Sequence, residues 1–278
     1  SPDSARCEAH PPESHLLRVQ GLLTRAHPGT EISFSCRRGE ILGFGGLVGA
    51  GRSEMARALF GIEPPLGGEV RLFDRKLDLR SPRDAMANGI SLIPEDRREQ
   101  GLILGMSVRE NFTLPYLNRY STFGWIRRRE ERSATSRQCG DFNLVAPSTE
   151  TPVHHLSGGN QQKVVLGKWL QSKPSVVIFD EPTRGIDVGA KEEIYQLVRN
   201  LASRGAAILL ISSDLQELIS LSDRIAVMRE GAITGTLERS EFDEAAVMRL
   251  AVDDSIPGST AFGLGRNGLQ QTGHINRE

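Results

Sequence analysis

Residues 156–163 read Leu156-Ser157-Gly158-Gly159-Asn160-Gln161-Gln162-Lys163, and further on an apolar run, Val176-Val177-Ile178-Phe179, ends in Asp180-Glu181-Pro182. The first stretch opens a helix, Asn160 to about Leu170, whose leading end carries no bulky side chain. Its free N–H groups and positive end can approach a phosphate. The second stretch ends a short buried strand on a carboxylate pair, a placement suited to a metal ion and a water molecule. Together they predict an α/β protein that handles a nucleotide.

A second phosphate-facing turn lies upstream. Gly46-Leu47-Val48-Gly49-Ala50-Gly51-Arg52-Ser53 sits between an apolar strand, Ile41 to Gly45, and a helix-forming run, Arg52 to Phe60. It fits G-x-x-x-x-G-K-[ST] at every fixed position except Arg52. Gly46, Gly49, Ala50 and Gly51 are expected to wrap phosphate oxygens with backbone N–H groups. Ser53, followed by Glu54, is expected to hold Mg²⁺ with Asp180, while Glu181 faces the attacking water. The bland alternative is a glycine-rich turn with no ligand, which Asp180-Glu181 argues against. One chain rarely aims two helix ends at one phosphate. The economical arrangement is a two-body sandwich in which each body offers one end to the other's nucleotide.

Around these motifs, strands alternate with helices. Leu16 to Val19, Glu31 to Cys36, Glu69 to Phe73, Ile90 to Ile93 and Ala206 to Ile211 read as strands, as do Arg224 to Arg229 and Ala232 to Leu237. Ser81-Pro82 opens a helix that Gly89 closes. Ser107-Val108-Arg109-Glu110 matches a capping box. Ile194, Leu197, Val198 and Leu201 form an amphipathic face ended by Gly205. Residues from about Gly101 to Leu170 lack strand signals and read as an inserted helical subdomain, about 99–170. The fold class is therefore α/β, a phosphate-loop core with a largely parallel sheet, an antiparallel β part and that helical insertion. Residues 15–252 form the domain, 1–14 read as a linker-like segment and 253–278 as a disordered tail.

The bulk numbers exclude several classes. A net charge of −1 gives no reason to expect nucleic acid or an anionic membrane as a nonspecific partner. The apolar runs are too short to span a bilayer. The three cysteines, Cys7, Cys36 and Cys139, fit neither a disulfide framework nor a metal clip, which favours a reducing setting. His154-His155 lacks a companion ligand at metal spacing and reads as surface.

Leu156 to Lys163 resembles the signature motif of ATP-binding-cassette (ABC) proteins. Asp180-Glu181-Pro182-Thr183 resembles their Walker B segment, and Gly185-Ile186-Asp187 their D-loop. The resemblance covers residues from about 15 to 250. It narrows to the second cassette of fused, two-cassette importers for ribose, galactose, xylose and related sugars. The residues that carry this are Gly46 to Glu54, Glu95-Asp96-Arg97, Gly101-Leu102, Ser107 to Asn111, Gly159 to Lys163 and Arg184 to Lys191.

The resemblance implies MgATP as ligand and a first cassette of the same importer as partner. It also implies membrane permease subunits, indirectly a sugar-binding protein, and a peripheral place on the cytoplasmic face. It places the permease contact on roughly Glu95 to Tyr116, where Leu102, Ile103 and Leu104 offer apolar surface or pack in the core. Ser157, Gly158 and Gly159 would complete the site of the partner cassette, which in that family carries the lysine-containing loop.

Four departures stand out. Arg52 replaces the phosphate lysine, and a planar fork is no simple substitute for an ammonium. Glu95 stands where a metal-linking glutamine is usual. A carboxylate roughly 6 Å from a phosphate charge costs about 3 kcal/mol at an effective dielectric of 20, which Mg²⁺ offsets in part. Ser213 stands where the switch histidine is expected; the resemblance makes it the second catalytic candidate beside Glu181, although it cannot match the histidine's reach. Between Gly21 and Thr30, His27 is the only ring available to adenine. These changes predict a site that binds ATP but turns it over weakly. The rival readings are a purely regulatory nucleotide-binding module and a soluble ABC protein acting on ribosomes or DNA. The neutral charge disfavours the last of these.

Overall fold

Val176 to Phe179 and Ala207 to Ile211 are apolar at every position because both faces of the sheet they form are covered. The computed structural model describes residues 15–186 and 188–252. In chain order it starts with β1 (His15–Leu23), β2 (Ile32–Arg37), β3 (Ile41–Gly46), α1 (Arg52–Leu59), β4 (Gly67–Leu72), β5 (Arg75–Leu77), α2 (Pro82–Ala87) and β6 (Ile90–Ile93). A single π-helical turn, Arg97–Gly101, then leads into α3 (Val108–Thr113), the hairpin β7 (Ser121–Thr122) and β8 (Trp125–Ile126), α4 (Arg128–Asp141) and α5 (Gly158–Leu170). The chain returns through β9 (Val176–Asp180), α6 (Val188–Ser203), β10 (Ala207–Ile211), α7 (Leu215–Leu221), β11 (Arg224–Arg229), β12 (Ala232–Glu238) and α8 (Glu244–Val252).

The central sheet has six strands in the order β12-β11-β3-β10-β9-β6. All its pairings are parallel except β11 with β12. A second sheet, β2-β1-β4-β5, is antiparallel. This is the expected α/β architecture, a mostly parallel core sheet with a separate antiparallel part.

The period-two alternation of strands divides the apolar residues between two cores. Val176, Ile178, Leu209 and Ile211 face α1 and the antiparallel sheet, packing with Leu42, Phe44, Met55 and Phe34. Val177, Phe179, Ile208 and Leu210 face the other way, toward Phe112, Val164, Val198 and Leu218. The inserted helices thus share one core with the far face of the sheet. Their seam is tight. A Cβ placed on Gly167 of α5 would lie 2.0 Å from Phe112 Cε1 of α3. Beside it, the Arg109 guanidinium reaches Glu131 at 2.8 Å and Glu150 at 2.9 Å, tying α3 to α4.

Several expectations are adjusted. β1 runs past Val19 to Leu23 through an irregularity in its pairing. Phe73, expected at the end of a strand, sits instead in a tight turn with Asp74 at φ of 48° and 61°, and β5 follows. The region expected to lack strands contains β7 and β8, joined at Phe123-Gly124. The segments 1–14 and 253–278, and Asp187, lie outside the described residues.

The α3–α5 seam sets a test. Gly167→Ala is expected to destabilise the domain by about 1–3 kcal/mol through overpacking, measured by urea unfolding. Phe112→Leu in the same chain should recover part of that loss. Additive losses would mean that the two residues do not oppose each other.

Candidate functional site

The site is built where three adjacent parallel strands end. β10 lies between β3 and β9, pairing Ile211 with Phe44 on one side and with Asp180 on the other. The turn after β3, the carboxylates at the end of β9 and Ser212-Ser213 after β10 therefore converge, as expected at the carboxyl ends of parallel strands.

The turn after β3 requires glycine. Gly46 has φ of 143°, and a Cβ there would meet the Met228 carbonyl oxygen at 2.3 Å. Gly51 caps α1 at φ of 96° with no side-chain hydrogen bond, so no side chain occupies the first N–H groups of the helix. The Gly231 N–H anchors the loop through the Ala50 carbonyl at 3.0 Å. Val48 at its crest is 95% exposed. The turn is open at its crest and free of a capping side chain at Gly51, where Gly46 to Ser53 are expected to cradle a phosphate.

Ser53 Oγ donates to Asp180 Oδ1 at 3.0 Å. Asp180 is 6% exposed, and burial pushes its carboxyl up to about 6. A hydroxyl and a buried carboxylate are hard oxygen donors suited to Mg²⁺. The expected metal pair Ser53–Asp180 is thus brought together.

Arg52 is placed differently. Instead of lining the rim of the loop, its guanidinium turns inward. Nη1 donates to the Ser212 carbonyl at 2.6 Å and Nη2 lies 3.9 Å from Glu181 Oε1. Glu181, at φ of 49°, accepts from Ser213 Oγ at 2.9 Å through its other oxygen. Glu181 and Ser213, the two expected catalytic residues, are therefore hydrogen-bonded, with Arg52 beside them. Glu54 turns aside to Arg57 at 3.5 Å.

Glu95, expected as a metal ligand, is held by the Arg184 guanidinium and lines a cavity with Asp96, Arg97 and Arg98. The hydrogen bonds of Ser157-Gly158-Gly159 belong to α5. Ser157 Oγ accepts from the Asn160 backbone N–H at 3.4 Å and its side chain at 3.1 Å, and Gly158 lies under the Arg97 guanidinium. The His27 ring packs on Gly231 and Gly51, beside the cradle. Of the three apolar residues expected to face a permease, Leu102 is buried, Leu104 is half-buried and Ile103 is exposed. His154 Nδ1 meets the Leu104 carbonyl at 2.9 Å.

Sequence reasoning missed the supports. Gln162 Nε2 donates to the Pro182 carbonyl at 3.2 Å, joining α5 to the turn after Glu181. Thr183 Oγ1 donates to buried Glu217 at 2.9 Å. No local signal marks either contact, because each partner comes from a distant element.

A family model described as ABC transporter matches residues 30–184. The chain is 48% identical over 242 residues to the ribose import ATP-binding protein RbsA 2 of Rubrobacter xylanophilus, covering 87% of this chain and 46% of that protein. It is 48% identical over 239 residues to the arabinose import ATP-binding protein AraG of Pseudomonas savastanoi pv. phaseolicola, covering 85% and 46%. The chain thus spans a little under half the length of these relatives. Its fold matches a nucleotide-free ATP-binding cassette from an ABC transporter with a TM-score of 0.71, at 21% identity over 87% of this chain and 97% of that one.

Asp180 gives a test of the metal pair. Its folded value of about 6 lies above the ordinary carboxylate range. The native state therefore holds a proton that the unfolded chain has lost, and this group lowers stability as pH rises from about 4 to about 6. Asp180→Asn should stabilise the ligand-free chain at pH 7 by on the order of 2 kcal/mol and flatten that part of the pH profile in urea melts. The same variant should lose Mg²⁺-dependent nucleotide binding in calorimetry.

Proposed function

The chain belongs to the ABC transporter family, and on that footing we propose that it is the second ATP-binding cassette of a two-cassette sugar importer. In this reading it binds MgATP weakly coupled to turnover, and its signature end serves the ATP of the facing cassette. The names of its relatives point to a pentose or related sugar. The permease would meet the segment around Ile103, and a substrate-binding protein would act through that permease. No described helix is long and apolar enough to cross a membrane, so a peripheral place on the cytoplasmic face is part of the same proposal.

The chemistry follows from the residues. The N–H groups of the turn before α1 would cradle the phosphates, and Ser53 with Asp180 would hold Mg²⁺, which neutralises charge on the phosphate oxygens. Glu181 would orient water for in-line attack on the γ-phosphate. Arg52 opposes that role. The Ser213 hydroxyl donates to one carboxylate oxygen of Glu181, and the Arg52 guanidinium lies 3.9 Å from the other as a charge partner. The inward turn of Arg52 is the observation that carries the reading of a slow local site. At the signature end, the Ser157 side chain bonds to Asn160 within α5.

A second reading is favoured by the same contact. With Glu181 bonded to Ser213 and faced by the Arg52 charge, the local site would act as a nucleotide sensor without hydrolysis. Glu181→Gln in the whole importer separates the two, since unchanged ATPase supports the sensor and a partial loss supports slow turnover.

The asymmetry itself is testable in the assembled importer by steady-state ATPase. Gly158→Asp should lower turnover at least about 100-fold by obstructing the facing site. Arg52→Ala should change it by less than about threefold. Comparable losses would show that both sites carry the chemistry.

A further inference from the structure

The β7–β8 hairpin displays two large aromatic rings to solvent. Phe123 is 99% exposed and Trp125 is 83% exposed. Phe123 sits in the tight turn Phe123-Gly124, whose φ values are 49° and 83°, and Trp125 directly follows it. An aromatic residue in the left-handed region is strained, and a ring so exposed packs on nothing that would offset it.

The surroundings are basic. Residues 119–137 contain Arg119, Arg127, Arg128, Arg129, Arg132 and Arg137 against Glu130 and Glu131, a surplus of four positive charges in a chain whose total is −1. Glu131 is buried between Arg109 and Arg128. Glu130 pairs with Arg127, and Arg132 with Glu150. Among the described residues no carboxylate pairs with Arg119, Arg129 or Arg137.

An exposed Phe and Trp at a turn, followed in the chain by Arg127, Arg128 and Arg129 at the start of α4, supply the two parts of an interfacial anchor. The rings suit headgroup depth and the arginines suit lipid phosphates. We propose that this hairpin and the start of α4 seat on an anionic phospholipid surface. An RNA strand would satisfy the charge, but nonspecific stacking uses rings lining a groove that tracks the backbone, not rings on a projecting turn. The proposal gives the peripheral placement above a contact surface. Its readout needs neither nucleotide nor permease, so its failure leaves the cassette reading untouched.

Vesicle flotation of the chain tests it. Binding is expected to phosphatidylcholine vesicles containing about a quarter phosphatidylglycerol and not to phosphatidylcholine alone, weakening as salt rises. Phe123→Asn with Trp125→Thr should reduce partition at least about tenfold. Asn tolerates the left-handed turn and Thr suits a strand, so an unchanged melting temperature is expected. Arg129→Gln alone should cost about fivefold. Equal binding to neutral vesicles, unchanged binding of the double variant, or tighter binding to polyuridylate than to anionic vesicles would overturn the proposal.

Discussion

The parallel register of β3, β10 and β9 is the constraint on which the rest of the molecule depends. β10 pairs with β9 over its whole length and with β3 from Ile208 to Ile211. That adjacency brings Ser53 to Asp180 across a separation of 127 residues and Arg52 to Ser212 across 160. Covering both faces of these strands forces their unbroken apolar character and divides the interior into two cores. The inserted helices share one of them, so the signature end of α5 is held by the same packing that positions the carboxylates.

What was legible in the sequence was what chemistry restricts to few residue types. A turn that must show bare N–H groups to a phosphate accepts little except glycine, and Gly46, Gly49 and Gly51 stand where that logic puts them, all at positive φ. The parallel core was readable because a doubly covered strand leaves no room for polar residues. The capping box at Ser107 and Glu110 was readable because it is local, and both of its hydrogen bonds form.

What was not legible depended on partners remote in sequence or on turns with unusual occupants. Arg52 could be identified as out of place, but its destination depends on the carbonyl of Ser212, which only the strand order brings near. Glu95 could be assigned to metal because Arg184 is invisible as its neighbour until the fold is known. β5 and the β7–β8 hairpin escaped notice because Phe73, Asp74 and Phe123 occupy turn positions that usually announce themselves with glycine or asparagine.

The hydrogen bond from Gln162 to the Pro182 carbonyl has a mechanical meaning. Gln162 lies one turn inside α5, and Pro182 directly follows Glu181. If α5 begins at a nucleotide held by another cassette, then a helix pulled by that nucleotide also pulls on the turn next to this chain's own carboxylate. Lys163, paired with Glu193 at 2.6 Å, adds α6 to the same linkage. Such a connection transmits displacement whether or not the local site cleaves anything. A cassette slow in chemistry can therefore still serve as a relay, reporting the occupancy of the opposite site through the backbone that carries its own.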